Sequence, residues 1–125
     1  MAKLTSPYAK TLGLSVDRSG ARTIVMMAPG DGIGGRPGFI HGGAISGLLD
    51  YAAWVVLLDA IDGDARLKPI GITVDFMRGG KMEPAFASAH IERLGRRVAN
   101  VIATAWQDDE HKPIARAYLK FLIER

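Results

Sequence analysis

From Ala44 to Ile61 the chain reads AISGLLDYAAWVVLLDAI, and up to Leu58 its only charged residue is Asp50. Wound as a helix, this run is apolar on every side, which assigns it to an interior. An acid in such a place costs free energy unless it is paired, protonated or used. After the run the pattern changes to a period of two. PIGITVDFMR (69–78) puts Ile70, Ile72, Val74 and Phe76 on one face and Thr73, Asp75 and Met77 on the other. AFASAHIERL (85–94) collects Ala85, Ala87, Ala89 and Ile91 on one face, and RVANVIATAWQ (97–107) collects Ala99, Val101, Ala103 and Ala105. PIARAYLKFLIE (113–124) does the same with Ala115, Ala117, Leu119, Phe121 and Ile123, after a tight polar turn at DDEHK (108–112). Inner faces rich in alanine suit a sheet that curls closely round a helix thickened by Leu48, Leu49, Trp54 and Leu57.

Upstream, Ser6-Pro7 reads as an N-cap and first helical residue and Gly13 as a stop, giving a short helix with Leu4, Tyr8 and Leu12 as its apolar side. Residues 14–28, broken at Ser19-Gly20, predict two short strands, the second within RTIVMMA. PGDGIGGRPGF (29–39) reads as loop and IDGDARLK (61–68) as a polar connection. The order predicts a single α+β domain over 1–125, a long central helix wrapped by a curved antiparallel β-sheet of five to six strands.

Composition narrows the function. With 48% hydrophobic and 23% charged residues the chain is globular. A net charge of +3 is too small to indicate nucleic acid, yet it is compatible with an anionic ligand such as a nucleotide-bearing thioester. The absence of cysteine excludes disulfides, zinc ribbons and thiol nucleophiles. His90 and His111 lack acids at ligand spacing, so neither a metal nor a cofactor is expected. The N-terminal stretch lacks the apolar core of a signal peptide, giving a cytoplasmic expectation. The run 44–58 is shorter than the roughly 20 residues of a membrane span, so no membrane role is expected.

Gly30-x-Gly32-x-x-Gly35 matches a dinucleotide fingerprint in form only: Pro37 separates it from the helix, and no βαβ repeat follows. No Gly-Lys-Ser/Thr follows either, which rules out a phosphate-cradling P-loop. The chemistry lies instead in His41-Gly42-Gly43 and Asp50. A helix start leaves backbone N–H groups unpaired and adds about half a positive charge, a place for a developing oxyanion. His41 is a catalytic candidate whose alternative role is to orient that loop by hydrogen bonding. Eight residues of helix set Asp50 about 12 Å along the axis from Gly42, too far for one chain to supply both halves of a site. Two helices antiparallel across a two-fold axis can supply both, which predicts an obligate homodimer with two equal sites. Arg93, Arg96 and Arg97, with Arg78 and Lys81 at another turn, are candidates for an anionic ligand or a solvated basic turn. Tyr51, Trp54, Phe76 and Met77 are candidates to line an acyl pocket or simply to pack.

Gly38-x-x-His41-Gly42-Gly43 followed seven residues later by Asp50, Ile72-Thr73-Val74-Asp75, and Arg93-x-Gly95-Arg96 resemble the hotdog-fold acyl-CoA thioesterases. The likeness is to the phenylacetate-pathway (PaaI-like) branch of the 4-hydroxybenzoyl-CoA thioesterase superfamily, from about Leu12 onward. It implies an acyl-CoA substrate and a homodimer, with a dimer of dimers as a further assembly. It implies that the Gly42 amide binds the thioester carbonyl with Gly43 beside it, that Asp50 is nucleophile or base, and that Thr73 lies beside the water. Many members carry Asn or Gln about six residues before the histidine, where this chain has Gly35, and RGGKMEP (78–84) departs from the usual strand ending. An acyl-CoA sensor and a hotdog hydratase or dehydratase with His41 as base are the competing functions.

Overall fold

The computed structural model of the protein describes residues 6–61 and 64–125. The short helix α1 (Pro7–Leu12) forms as the sequence predicts: Ser6 Oγ accepts the Ala9 N–H at 3.0 Å, and Gly13 ends it in the left-handed conformation, φ 68°. Its buried residues are Ala9 and Leu12, whereas Tyr8 is 57% exposed, so the predicted apolar side is corrected by one position. Leu4 lies outside the described residues. Strands β1 (Leu14–Asp17) and β2 (Ile24–Met27) make a hairpin. Within the predicted loop a 3-10 turn, Asp31–Ile33, buries Ile33. The core helix α2 is Gly42–Ala60, beginning two residues before the apolar run. Then come β3 (Arg66–Phe76), β4 (Ala85–Leu94), β5 (Val98–Trp106) and β6 (Ala115–Glu124).

All pairings are antiparallel, in the order β1-β2-β4-β5-β6-β3. Register brings Ala87, Ala105 and Ala115 side by side, and likewise Ala103 and Ala117, and these alanines are fully buried. Small side chains there let the sheet close on Leu48, Leu49 and Leu57 of α2, which are fully buried in the core. At 19 residues α2 is by length and composition capable of crossing a membrane, so the length argument against a span is corrected; here it packs against the sheet.

β3 departs most from expectation. It starts earlier, at Arg66, and a bulge between Pro69 and Gly71 resets its alternation. Beyond the bulge Ile72, Val74 and Phe76 share one face, as predicted, and their pairing with Leu119, Ala117 and Ala115 makes it the helix side. Yet only Val74 is partly covered: Ile72 is 48% and Phe76 54% exposed, because β3 is an edge strand.

Candidate active site

The start of α2 is held from several sides. His41 has extended backbone (φ −64°, ψ 138°), and its Nδ1 accepts the Gly43 N–H at 2.9 Å, which requires an unprotonated Nδ1. Its own N–H donates to the Ile33 carbonyl at 2.8 Å, and the Ala44 N–H donates to the His41 carbonyl at 2.9 Å. Gly35 comes so near that a Cβ on it would lie 3.1 Å from His41 Cα. The Gly42 N–H is left without a partner among the described residues. Gly42 lines a cavity of about 510 Å³ together with Gly35, His41, Phe76, Met77 and Arg78. A free amide at the positive end of a 19-residue helix is a ready site for a carbonyl oxygen gaining charge.

The two glycines therefore do different work. A Cβ on Gly42 would meet Phe76 Cζ at 3.3 Å, and one on Gly43 would meet His41 Nδ1 at 3.0 Å. The assignment of Gly43 to substrate binding is corrected to this extent: its amide is already taken by the His41 cap. Gly43→Ala is expected to push the imidazole off the cap, costing about 1 kcal/mol, or roughly 4 °C in Tm, as read by thermal unfolding.

Asp50 sits two turns further along α2, on a stripe with Gly47, Tyr51 and Trp54. It is half-buried, and burial alone raises its carboxyl above the ordinary aspartate value. No side-chain hydrogen bond to it is present among the described residues. It opens into an apolar cavity of about 270 Å³ shared with Tyr8, Tyr51, Trp54, Leu67 and Pro69. The Tyr51 and Trp54 rings are 5.7 Å apart, and burial pushes the Tyr51 hydroxyl up while Arg18 draws it back.

The half-sites lie at opposite ends of β3. Leu67 and Pro69 wall the Asp50 cavity; Phe76 and Met77 wall the Gly42 cavity. Of the other sequence candidates, Thr73 pairs with Tyr118, whose neighbours Leu119 and Ala117 face the helix. Thr73 is thus on the outer face of the sheet, and its predicted place beside the Asp50 water is corrected. Arg93, Arg96 and Arg97 are exposed at the β4–β5 turn, on the sheet end that carries Lys68 of β3, the Asp50 end. Sequence reasoning missed Arg36, whose guanidinium lies 4.3 Å from the Phe39 ring centroid beside the Gly42 cavity. It also missed Tyr8, which only the tertiary seat of α1 brings to Asp50.

One long helix cradled by a curved antiparallel sheet is the hotdog fold, and here it carries a bare amide at the helix start and a half-buried acid within the helix. The chain belongs to the acyl-CoA thioesterase N-terminal domain family, which matches residues 34–122. A structure of a Chromobacterium violaceum protein is 32% identical, with TM-score 0.74, covering 93% of this chain and 82% of that one. A Bacillus halodurans protein crystallised with CoA shares the fold at 18% identity and TM-score 0.88, covering 97% of this chain and 80% of that one. So does a putative thioesterase of Ralstonia eutropha described as phenylacetic acid degradation-related, at 24% identity and TM-score 0.79, covering 94% and 91%. Among curated proteins nothing matches the chain.

Proposed function

We propose that the protein hydrolyses acyl-CoA thioesters in the cytoplasm, at two sites shared between the copies of a homodimer. The observation that carries this is the division of the chemistry between the two ends of β3, whose outer edge has no partner strand among the described residues. An unpaired edge flanked by exposed Ile72 and Phe76 invites a second strand. Antiparallel pairing about a two-fold axis at Ile72, with the extra residue of the Pro69/Gly71 bulge counted, sets Pro69 opposite the partner's Val74 and Leu67 opposite the partner's Phe76. The Asp50 cavity of one copy then meets the Gly42 cavity of the other. Ser46, Asp50, Trp54 and Leu58 of α2, half-buried in the single chain, gain a cover.

In that assembly the thioester oxygen accepts the Gly42 N–H as the carbonyl carbon becomes tetrahedral. Asp50 of the partner either takes a proton from the attacking water or attacks the carbon itself, the resulting anhydride then being hydrolysed. The carbon–sulfur bond breaks, and CoA leaves as the thiol. Arg93, Arg96 and Arg97 offer cations to its phosphates. Thiol release from a panel of acyl-CoAs tests the reaction; binding without release would instead support an acyl-CoA sensor. That second reading is favoured by Gly35, which presents no side chain to the carbonyl and has little room for one. Ile72→Glu, placing like charges at the axis, is expected to give a monomer by sedimentation velocity and to abolish thiol release. A dimer that survives it would exclude this pairing.

A further inference from the structure

The segment 79–83, between β3 and β4, walls the Gly42 cavity with two residues that have no side chains, Gly79 and Gly80. Close approach explains both: a Cβ on Gly79 would lie 3.0 Å from Phe39 Cε1, and one on Gly80 would lie 3.1 Å from Ile45 Cδ1. The segment meets the loop before α2 edge to edge. The Ile40 N–H donates to the Gly80 carbonyl at 2.8 Å and the Met82 N–H to the Gly38 carbonyl at 3.1 Å, the two bonds of an antiparallel bridge between Phe39 and Lys81. In such a pair the main-chain groups of Lys81 itself point away from Phe39. What they meet is the side chain of Gln107, one residue past β5. Gln107 Oε1 accepts the Lys81 N–H at 3.0 Å, and Nε2 donates to the Lys81 carbonyl at 2.7 Å and the Glu83 carbonyl at 3.2 Å. One side-chain amide thus takes the place of a neighbouring strand. Among the described residues, the main chain of 79–83 has no hydrogen-bond partner outside itself other than this amide and the loop it presses on.

These contacts end at the reacting centre. Ile40 precedes His41, whose cap sets the start of α2, and Gly42 comes next. We propose that Gln107 is a positioning residue for the Gly42 amide: by holding 79–83 against the loop, it holds the Gly42 N–H in the direction in which it meets the thioester oxygen. The proposal rests on the thioesterase reading above and adds to it a residue that lines neither cavity. It also gives the unusual RGGKMEP stretch a part, since a segment with glycines at 79 and 80 takes its order from main-chain bonds. Gln107 is only half-buried, so each of its three bonds adds modestly to stability. The fold should therefore survive their loss, while local opening of 79–83 becomes easier.

The test replaces Gln107 by Met, of similar length and without the amide, and by Glu, which at neutral pH has no donor for the two carbonyls; the second serves if thermal unfolding shows the first not to fold. With thiol release as the readout, kcat should fall roughly tenfold or more while KM stays unchanged. In a Gly42→Pro background the same substitution should cost nothing further, because the amide it positions is gone. A merely structural role would cost the same factor in both backgrounds. Equal losses in the two backgrounds, a change confined to KM, or an unchanged kcat would overturn the proposal. If the wild-type chain releases no thiol, the hydrolytic reading fails, and amide hydrogen exchange decides whether Gln107 holds the loop. Faster exchange at Ile40 and His41 with Leu48 and Leu49 unchanged upholds it; unchanged rates at Ile40 and His41, or faster exchange throughout, remove it.

Discussion

Asp50→Asn is expected to lower thioester turnover about a hundredfold or more and, at neutral pH, to raise the melting temperature. Both effects follow from one carboxyl that is half-buried without a side-chain hydrogen bond among the described residues, its pKa raised by desolvation. As base or nucleophile it must be ionised, so the acid limb of the rate profile should lie above the ordinary aspartate range. For stability the direction is opposite to that of a salt-bridged acid. With its folded pKa above its unfolded one, the native state holds the proton more tightly. The penalty is then complete above the folded pKa and is relieved as pH falls through it toward the unfolded value. The neutral amide escapes the penalty, so Asp50→Asn should melt higher than the wild-type chain at pH 7, with the gap closing in acid. Retained turnover would remove Asp50 from the mechanism. A lower melting point at every pH would make it a structural acid with a partner.

That the acid stands out at all is a matter of pattern. The run 44–61 is apolar enough for Asp50 to be conspicuous, and the alternation of β4, β5 and β6 names their buried alanines correctly because each of those strands is paired along both edges. β3 shows where this reasoning stops. Alternation groups Ile72 and Phe76 with Val74 on one face, but how far that face is covered depends on strand order, which no local pattern encodes. Thr73 is instructive in the opposite sense, since the same alternation already set it across the strand from Ile72 and Val74, against the role implied by resemblance. Gly43 failed as a substrate contact because the fate of its amide depends on one imidazole rotamer. Gly47 in a helical run signalled a close approach, yet what approaches is α1, remote in sequence.

Gly42→Pro is the other substitution with a large expected effect, because it deletes one N–H and little else. Gly42 is the first residue of α2, where proline is well tolerated, and the extended backbone of His41 suits a residue preceding proline. The amide lost has no partner among the described residues, so no hydrogen bond of the fold goes with it. Gly42→Ala adds a Cβ at the same distance from Phe76, 3.3 Å, but keeps the N–H, and the exposed ring can yield. Turnover of the proline variant should fall below that of the alanine variant by about 10²- to 10³-fold, the effect of one oxyanion donor. Equal losses would mean that packing against Phe76, not the amide, is what matters. Mixing Gly42→Pro with Asp50→Asn then tests where the two groups meet. In a mixed pair one site inherits both lesions and the other neither, so random assortment should restore about a quarter of wild-type turnover. Were amide and acid to act within one chain, every site in the mixture would carry a lesion and nothing would return.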